Sequence, residues 1–494
     1  MLLVLLVTLA PPIVIGSLLA RTFLPAYRPA LVAWLLNVSL GAGLGVGVLS
    51  LLYFLVKLLL GPSSIVYGAV EIAALLASAG ACRVIRDRAV VGEEPRRLAG
   101  WLWLLPVATG VCLILAVAQF ADSSAASPYG NWDAWSIWNL RAKLLAQPNA
   151  AWRDAFSPVL NQQAGAGATH GDYPLLLSAY IARCWSLTSS IGDVTAPIAV
   201  AGLFSLATVG LLIGGLAILR GWTTALTGGI ILLGTAEFLH NSAWQLADVP
   251  VGFFYLAAFV LFLLLDAAGG ARRVAVVAGI ALGCAAWTKD EGMFFAVFAM
   301  LALTAWQMLS KPGARLRTLA LLAAGAVLPL AVSIYFKIFL APQGIWAPLT
   351  LSAAASRLVD ASRYALIFGG LWNEWLDLGR GIAHPALCLA VLAVCLGVSR
   401  EWLRRPGVLA ACGLLLAITT AYFFSYVVTP LELAWHLSTS AGRLMVQLVP
   451  ATIFLALAVC RSAEETALPI EEPKRAVRAG KKKTRRAPTA KLGR

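Results

Sequence analysis

Charge is what this sequence lacks most. Of its 494 residues only 12% are Asp, Glu, Lys or Arg, and histidine occurs four times. Soluble domains carry roughly 25% charged residues, so a cytosolic enzyme and a charge-rich disordered chain are both excluded. Motifs for metals and redox chemistry are missing too. The eight cysteines form no CxxC pair and none lies at metal spacing from a histidine. They read as buried thiols acting as small apolar groups. There is no P-loop, no GxGxxG and no clear internal repeat, and no sign of the broken, symmetry-related helices of secondary transporters. The first twenty residues, MLLVLLVTLAPPIVIGSLLA, lack the basic n-region of a signal peptide. They are expected to be a retained first span.

What the sequence has is apolar length. Hydrophobic residues make up 60% of the chain and the mean hydropathy is +0.83. At about 20 residues per span, there is room for a dozen or so transmembrane helices. Apolar runs broken by charged or Pro/Gly-rich joints predict thirteen spans: 2–20, 31–59, 64–82, 98–121, 194–219, 222–239, 249–268, 274–288, 292–309, 318–340, 382–399, 408–428 and 444–461. The expectation is an all-α polytopic membrane protein with juxtamembrane helices on its outer face. It divides into additional N-terminal spans (1–97), a transmembrane core (98–461) and a basic tail (462–494).

The basic residues set its orientation. Joints at Arg83–Arg97, Arg272–Arg273, Lys311–Arg317 and Arg400–Arg405 belong in the cytoplasm under the positive-inside rule, together with the tail. Ten of the 38 Lys and Arg residues lie between Lys474 and Arg494, where each is worth about 1 kcal/mol of attraction to an anionic lipid surface. No aromatic residues interleave them to stack on bases, so membrane lipid rather than nucleic acid is the expected partner. An even number of crossings between Gly100 and Arg272 then requires that 174–189 not span. The same parity makes 363–377 an interfacial helix, with Trp372 and Trp375 at headgroup level. Two long segments, 122–193 and 341–381, fall on the outer face with a shorter one, 429–443. Loops of this length are usually functional.

Scarce polar residues gather in those outer segments. Asp133 sits among tryptophans in Tyr129-Gly-Asn-Trp-Asp-Ala-Trp-Ser-Ile-Trp-Asn139. There it is suited to take a proton from a sugar hydroxyl, or serves as an ordinary cap in an aromatic belt. In Thr169-His-Gly-Asp-Tyr-Pro-Leu-Leu-Leu177, Asp172 is expected to cap a helix with Pro174 in its first turn. His170 and Tyr173 stand beside that helix start, which would also suit a phosphate. Asp248 precedes Pro250 at the mouth of another span, after Glu237, His240 and Trp244. Trp287-Thr-Lys-Asp-Glu-Gly292 places Lys289, Asp290 and Glu291 in one charged joint. Asp290 and Glu291 would solvate a turn there, and Lys289 opposes the usual charge bias, as expected of a residue that meets an anion. Glu432-Leu-Ala-Trp-His-Leu-Ser-Thr-Ser-Ala-Gly-Arg443 adds His436 and ends on Arg443, whose fork of donors suits phosphate oxygens.

The order of these motifs resembles the GT-C class of integral membrane glycosyltransferases, within it the relatives of protein mannosyltransferases and aminoarabinose transferases. The resemblance covers roughly 98–461 and rests on short motifs. These are Asp133 after a span, Tyr-Pro-Leu at 173–175, Ala-Asp-Val-Pro…Phe-Phe at 247–254, Thr-Lys-Asp-Glu-Gly at 288–292 and Arg443…Pro450. It implies a polyprenyl-phosphate-sugar donor and an inverting displacement on the outer face of the plasma (inner) membrane. Asp133 would be the base, with Lys289 and Arg443 on the donor phosphate. Asp248 and the acidic joint would be supporting or metal-associated positions, since some relatives use a divalent ion and others do not. The acceptor, whether glycan, lipid or protein, is left open. The chain departs from the family in its three additional N-terminal spans, and in a single Asp133 where many relatives carry two adjacent acidic residues. Two other readings compete: a flippase or transporter for a lipid-linked saccharide, and a surface-glycan ligase or polymerase of another membrane fold. The first would need charges lining a path at mid-membrane depth, whereas most charges here lie at span ends.

Overall fold

A computed structural model describes residues 1–85, 90–91, 100–159, 170–267, 272–309, 315–380 and 383–467. The parts of the basic joints at 86–89, 92–99 and 311–314, and the tail beyond Ala467, lie outside the described residues. The chain is almost entirely helical: α1 (Leu2–Phe23), α2 (Ala30–Leu60), α3 (Ser64–Ile85), α4 (Leu104–Ala126), α5 (Asn139–Leu145), α6 (Leu176–Thr188), α7 (Thr195–Arg220), α8 (Trp222–Leu233), α9 (Ala236–Ala243), α10 (Asp248–Ala267), α11 (Val274–Thr288), α12 (Asp290–Leu309), α13 (Arg315–Phe339), α14 (Leu351–Leu358), α15 (Ala361–Asp377), α16 (Pro385–Leu396), α17 (Pro406–Val428) and α18 (Leu433–Val459). The only sheet among the described residues is a two-residue parallel pairing of 26–27 with 90–91.

Ten of these helices are long and apolar enough to cross a membrane, or eleven if α8 and α9, bent by 64° about Gly234–Thr235, form one span. Thirteen were expected. The shortfall lies in α11 and α16, which have 15 and 12 residues, less than the roughly 20 that a bilayer core requires. The last span also differs. It begins at Leu433, capped by Glu432, so Arg443 lies inside the helix rather than at its start. The segments 174–189 and 363–377 are not among the spans.

Burial follows composition. Helix α10 is apolar all round and almost wholly buried, as a helix without a polar face must be. It is the axis of the bundle. Helix α11 lies beside it and meets α13 through small residues. A side chain at Gly279 or Gly325 would run into the backbone of the facing helix, the close approach that small residues spaced by three allow in membranes. Helices α3 and α4 are mostly exposed and stand at the periphery.

The ends of the bundle differ in charge. Arg220, Arg273, Arg315, Arg405 and Arg461 flank one set of helix ends. Arg220 donates to the Cys460 carbonyl at 2.5 Å and Arg273 to the Ile85 carbonyl at 2.5 Å. These bonds tie α7 to α18 and α11 to α3 at one basic end. The opposite ends of α11 and α13 carry Lys289 and Lys337, and α10 and α12 begin beside them with Asp248 and Asp290.

Candidate active site

Position 133 is set by its neighbours. The chain turns at Gly130, whose φ of 74° is unstrained only for glycine. Asn131 then donates its N–H to the Trp244 carbonyl at 3.2 Å. Gln245 accepts from Asn139 Nδ2 at 3.2 Å and donates to the Pro128 carbonyl at 3.0 Å. The 128–139 segment is thereby pinned to the turn that precedes Asp248. Asp133 heads a single π-helical turn, Ala134–Trp138, a feature found frequently at functional sites.

Five charged side chains join in one chain of ion pairs. Arg443 Nη1 lies 2.6 Å from Asp133 Oδ2, and Arg443 Nε lies 3.0 Å from Asp248 Oδ2. Lys289 Nζ donates to Asp248 Oδ1 and to Glu291 Oε1, both at 2.9 Å. Gln447 Nε2 adds a third bond to Asp248 Oδ1 at 2.6 Å, and Tyr422 donates to Gln447 Oε1. Asp248 is fully buried, a position an ionised carboxylate tolerates only when paired and hydrogen-bonded. Asp133 is at the open end of the series, 22% exposed. Burial opposes the charge of Lys289, yet Asp248 and Glu291 hold its pKa above the ordinary lysine value.

A second group adjoins the first. Lys337 Nζ contacts Asp290 Oδ1 at 2.6 Å, the Asp172 carbonyl at 2.7 Å and Asp172 Oδ2 at 3.8 Å. The expected helix cap at Asp172 is not formed. The helix starts at Leu176 without a side-chain cap, and Pro174 lies ahead of its first turn. Asp172 is turned toward Lys337, where an opposite charge outweighs a capping bond. Likewise Asp290 is paired rather than solvating a turn. Fully buried Arg141 donates to the Tyr173 carbonyl at 2.6 Å, and burial lowers its pKa to about 10 against the pull of Asp172 and Asp290. The rings of His170 and Tyr173 stack at 4.6 Å, and Tyr173 stacks on Trp138 at 5.7 Å. Burial keeps the His170 pKa below 6.5, with Lys289 and Arg443 adding to the shift and Asp172 and Asp133 opposing it. The imidazole Nδ1 has no hydrogen-bond partner among the described residues.

These groups face a cavity of about 1250 Å³. Of the sequence-predicted residues, Asp133, His170, Asp172, Tyr173, Lys289, Glu291, His436 and Arg443 line it, and Asp248 lies directly behind. His436 stands apart from the ion pairs and bonds Thr429 Oγ1 at 2.9 Å. The apolar part of the wall includes Phe294, Ile418, Ala421, Phe424 and Leu444, from α12, α17 and α18. Sequence reasoning missed Gln447, Tyr422 and Lys337. Each is a polar residue within an apolar span, which is itself a signal of function or pairing.

Among the described residues no three His, Cys, Asp or Glu converge as a ligand set. The carboxylates that could start one, Asp248 and Glu291, are held by Lys289 and Arg443. What the arrangement offers is a partly exposed carboxylate, two cations fixed next to it, and an apolar trough leading away.

Comparison with known proteins agrees with this architecture. Residues 198–346 match the family model of dolichyl-phosphate-mannose-protein mannosyltransferases, a GT-C family. The matched stretch holds Asp248, Lys289, Glu291 and Lys337, and leaves out Asp133, His170 and Arg443. No curated protein and no solved structure matches the chain. The matched family is one of glycosyltransferases, and the scaffold that carries the match is multi-span and helical.

Proposed function

We propose that this protein transfers a sugar from a polyprenyl-phosphate carrier to a hydroxyl acceptor at the non-cytoplasmic face of the plasma (inner) membrane, inverting the anomeric carbon, with Asp133 as general base. One observation carries the reading: a single guanidinium, Arg443, is shared between exposed Asp133 and buried Asp248 at the edge of a cavity large enough for a lipid-linked sugar.

The chemistry follows from that sharing. The cations are already engaged, so an incoming phosphate must compete for them. Asp248 is buried under three donors, whereas the bridge to Asp133 is partly exposed and yields first. The donor phosphate takes Arg443 from Asp133, and the released carboxylate oxygen is free to accept a hydrogen bond from the acceptor hydroxyl. The acceptor hydroxyl then attacks the anomeric carbon and its proton passes to Asp133. The bond from that carbon to the phosphate oxygen breaks, and the electron pair leaves with the phosphate. Arg443 and Lys289 stabilise the charge that grows there, a role worth about 10²–10³ in rate for a single well-placed donor. Asp248, Glu291 and Gln447 keep both cations in place. The apolar wall from α12, α17 and α18 accommodates the start of the polyprenyl tail.

The charge difference between bundle ends supports the sidedness. In this reading the positive-inside rule assigns the basic end to the cytoplasm and leaves the cavity for the other membrane face. The reading is tested with the purified full-length protein in nanodiscs, supplied with polyprenyl-phosphate sugars. Release of polyprenyl phosphate, lost in Asp133→Asn, is the expected result. Movement of the lipid-linked sugar across the bilayer without bond cleavage would overturn it.

A further inference from the structure

The N-terminal helices carry a buried charge that the fold leaves uncompensated. Lys57, in the last turn of α2, is 5% exposed. Its ammonium donates to Tyr53 Oη at 3.1 Å and to the Gln147 carbonyl at 3.0 Å, and stands 5.3 Å from the centre of the Tyr53 ring. All of these partners are neutral. Glu71 is the only acidic residue among the first 85, and both of its oxygens are taken by Arg183. No carboxylate from another element pairs with Lys57 among the described residues. A buried charge is tolerated when paired and costly when it is not.

The ammonium is not sealed in. With Tyr53, Tyr67, Ser186 and the turn 61–64 it lines a small notch, and no acidic side chain shares that lining. The turn forms where Gly61, with a φ of 90°, ends α2 ahead of α3. The notch holds about 10 Å³, room for one oxygen-sized group. An ammonium has three donors, and two of those on Lys57 are used. Ser63 Oγ accepts the Val66 N–H at 3.3 Å, which leaves its own proton free to donate.

The surroundings point to the source of an anion. Helix α3 runs from the notch to Ile85, whose carbonyl is bound by Arg273 at the basic end of the bundle. The notch is therefore at the same end as the cavity. Around its mouth Leu59, Leu60 and Ile65 are 63% to 84% exposed, and α3 itself is peripheral. In a membrane protein such side chains meet acyl chains, and a polar turn among them lies at headgroup depth.

We propose that this notch holds the headgroup phosphate of one anionic glycerophospholipid from the surrounding leaflet. One phosphate oxygen enters beside the Lys57 ammonium and Ser63 Oγ, and the acyl chains lie along Leu59, Leu60 and Ile65. A zwitterionic headgroup would set its own cation next to Lys57 and is disfavoured. The lipid supplies the ion-pair partner that the chain does not provide. It also gives the additional N-terminal spans a binding role separate from sugar transfer.

Native mass spectrometry and thermal unfolding of the full chain test this, after delipidation in a neutral detergent. No sugar donor is present, so the outcome is independent of the transferase reading. The probes are phosphatidylglycerol, phosphatidylcholine, inorganic phosphate and chloride. Phosphatidylglycerol alone should stay bound and raise the unfolding temperature. Lys57→Met should weaken that binding by about fivefold or more, the worth of one lysine at an anionic surface. Without lipid, Lys57→Met should melt no lower than the parent chain, because methionine removes the unpaired charge. Ser64→Glu, at an exposed position, sets a fixed carboxylate at the mouth and should lose the lipid while folding normally. Equal retention of both lipids, or retention of phosphatidylglycerol unchanged in the two variants, would overturn the proposal. Stabilisation by inorganic phosphate or chloride as large as by lipid would overturn it in favour of a free-ion site. Earlier unfolding of Lys57→Met, to the same extent with and without lipid, would reduce Lys57 to a strut between Tyr53 and Gln147 and overturn it as well.

Discussion

Arg183 and Arg443 both pair with carboxylates, and they do so in opposite ways. Arg183, on α6, gives Nε and Nη2 to the two oxygens of Glu71 on α3, and Nη1 to the Val7 carbonyl on α1 at 2.8 Å. Tyr67 adds a contact at 3.2 Å. That is a closed, bidentate arrangement, and it fastens the N-terminal helices to the rest. Arg443 instead divides its donors between two carboxylates, one sealed and one partly exposed, at the edge of the cavity. The first pair uses all its bonding capacity on the fold. The second keeps one bond that a ligand can take.

The comparison breaks most sharply at Asp133. In Asp133→Asn, kcat for release of polyprenyl phosphate should fall by about 10²–10⁴, the usual contribution of a general base, with little change in unfolding temperature. Steady-state kinetics in nanodiscs decides this, and an undiminished rate would remove the base role. Arg183→Met should do the reverse. Leaving Glu71 unpaired costs about 3–5 kcal/mol of stability, seen as a lower unfolding temperature, while turnover per folded molecule stays as it was. Restoring stability with Arg183→Met/Glu71→Leu would confirm that the pair is structural. Gln447→Leu tests the sealed half of the Arg443 site. It removes one of the bonds on Asp248, and kcat should drop about tenfold, the effect of roughly 1.5 kcal/mol.

The smallest effect concerns pH. The folded pKa of His170 lies below its unfolded value of 6.5, so the unfolded chain binds the extra proton first. Its contribution to stability is complete above pH 6.5 and is lost as pH falls through the folded pKa. Unfolding temperature measured from pH 7.5 downward should decline from about 6.5, and His170→Gln should flatten that part of the curve. An unchanged slope in the variant would place the titration elsewhere.

Much of this was legible in the sequence because water and lipid impose simple rules. Apolar runs became helices, and scarce charges at 133, 248, 289 and 443 met because a membrane protein has few places to put them. What local pattern did not carry was pairing between distant elements. Nothing near Asp172 signals that Lys337, 165 residues on, would claim it in preference to a helix cap. Nor does the stretch Ser438–Ser440 look like the interior of a span. Its hydroxyls face the cavity and each other's turns, so the helix continues through them to Leu433. Spacing could suggest that Lys289 and Arg443 would meet a phosphate. It could not reveal that both would already be held by carboxylates.

In the proposed mechanism that prior engagement sets an order of events. Before the carrier arrives, Asp133 Oδ2 is bonded to Arg443, so a stray acceptor or water molecule entering an empty pocket finds that oxygen occupied. Under the proposed mechanism, the carboxylate is freed only once the lipid headgroup is seated. That mechanism predicts a compulsory sequence of addition, carrier first, set by one forked side chain and needing no moving lid to limit hydrolysis.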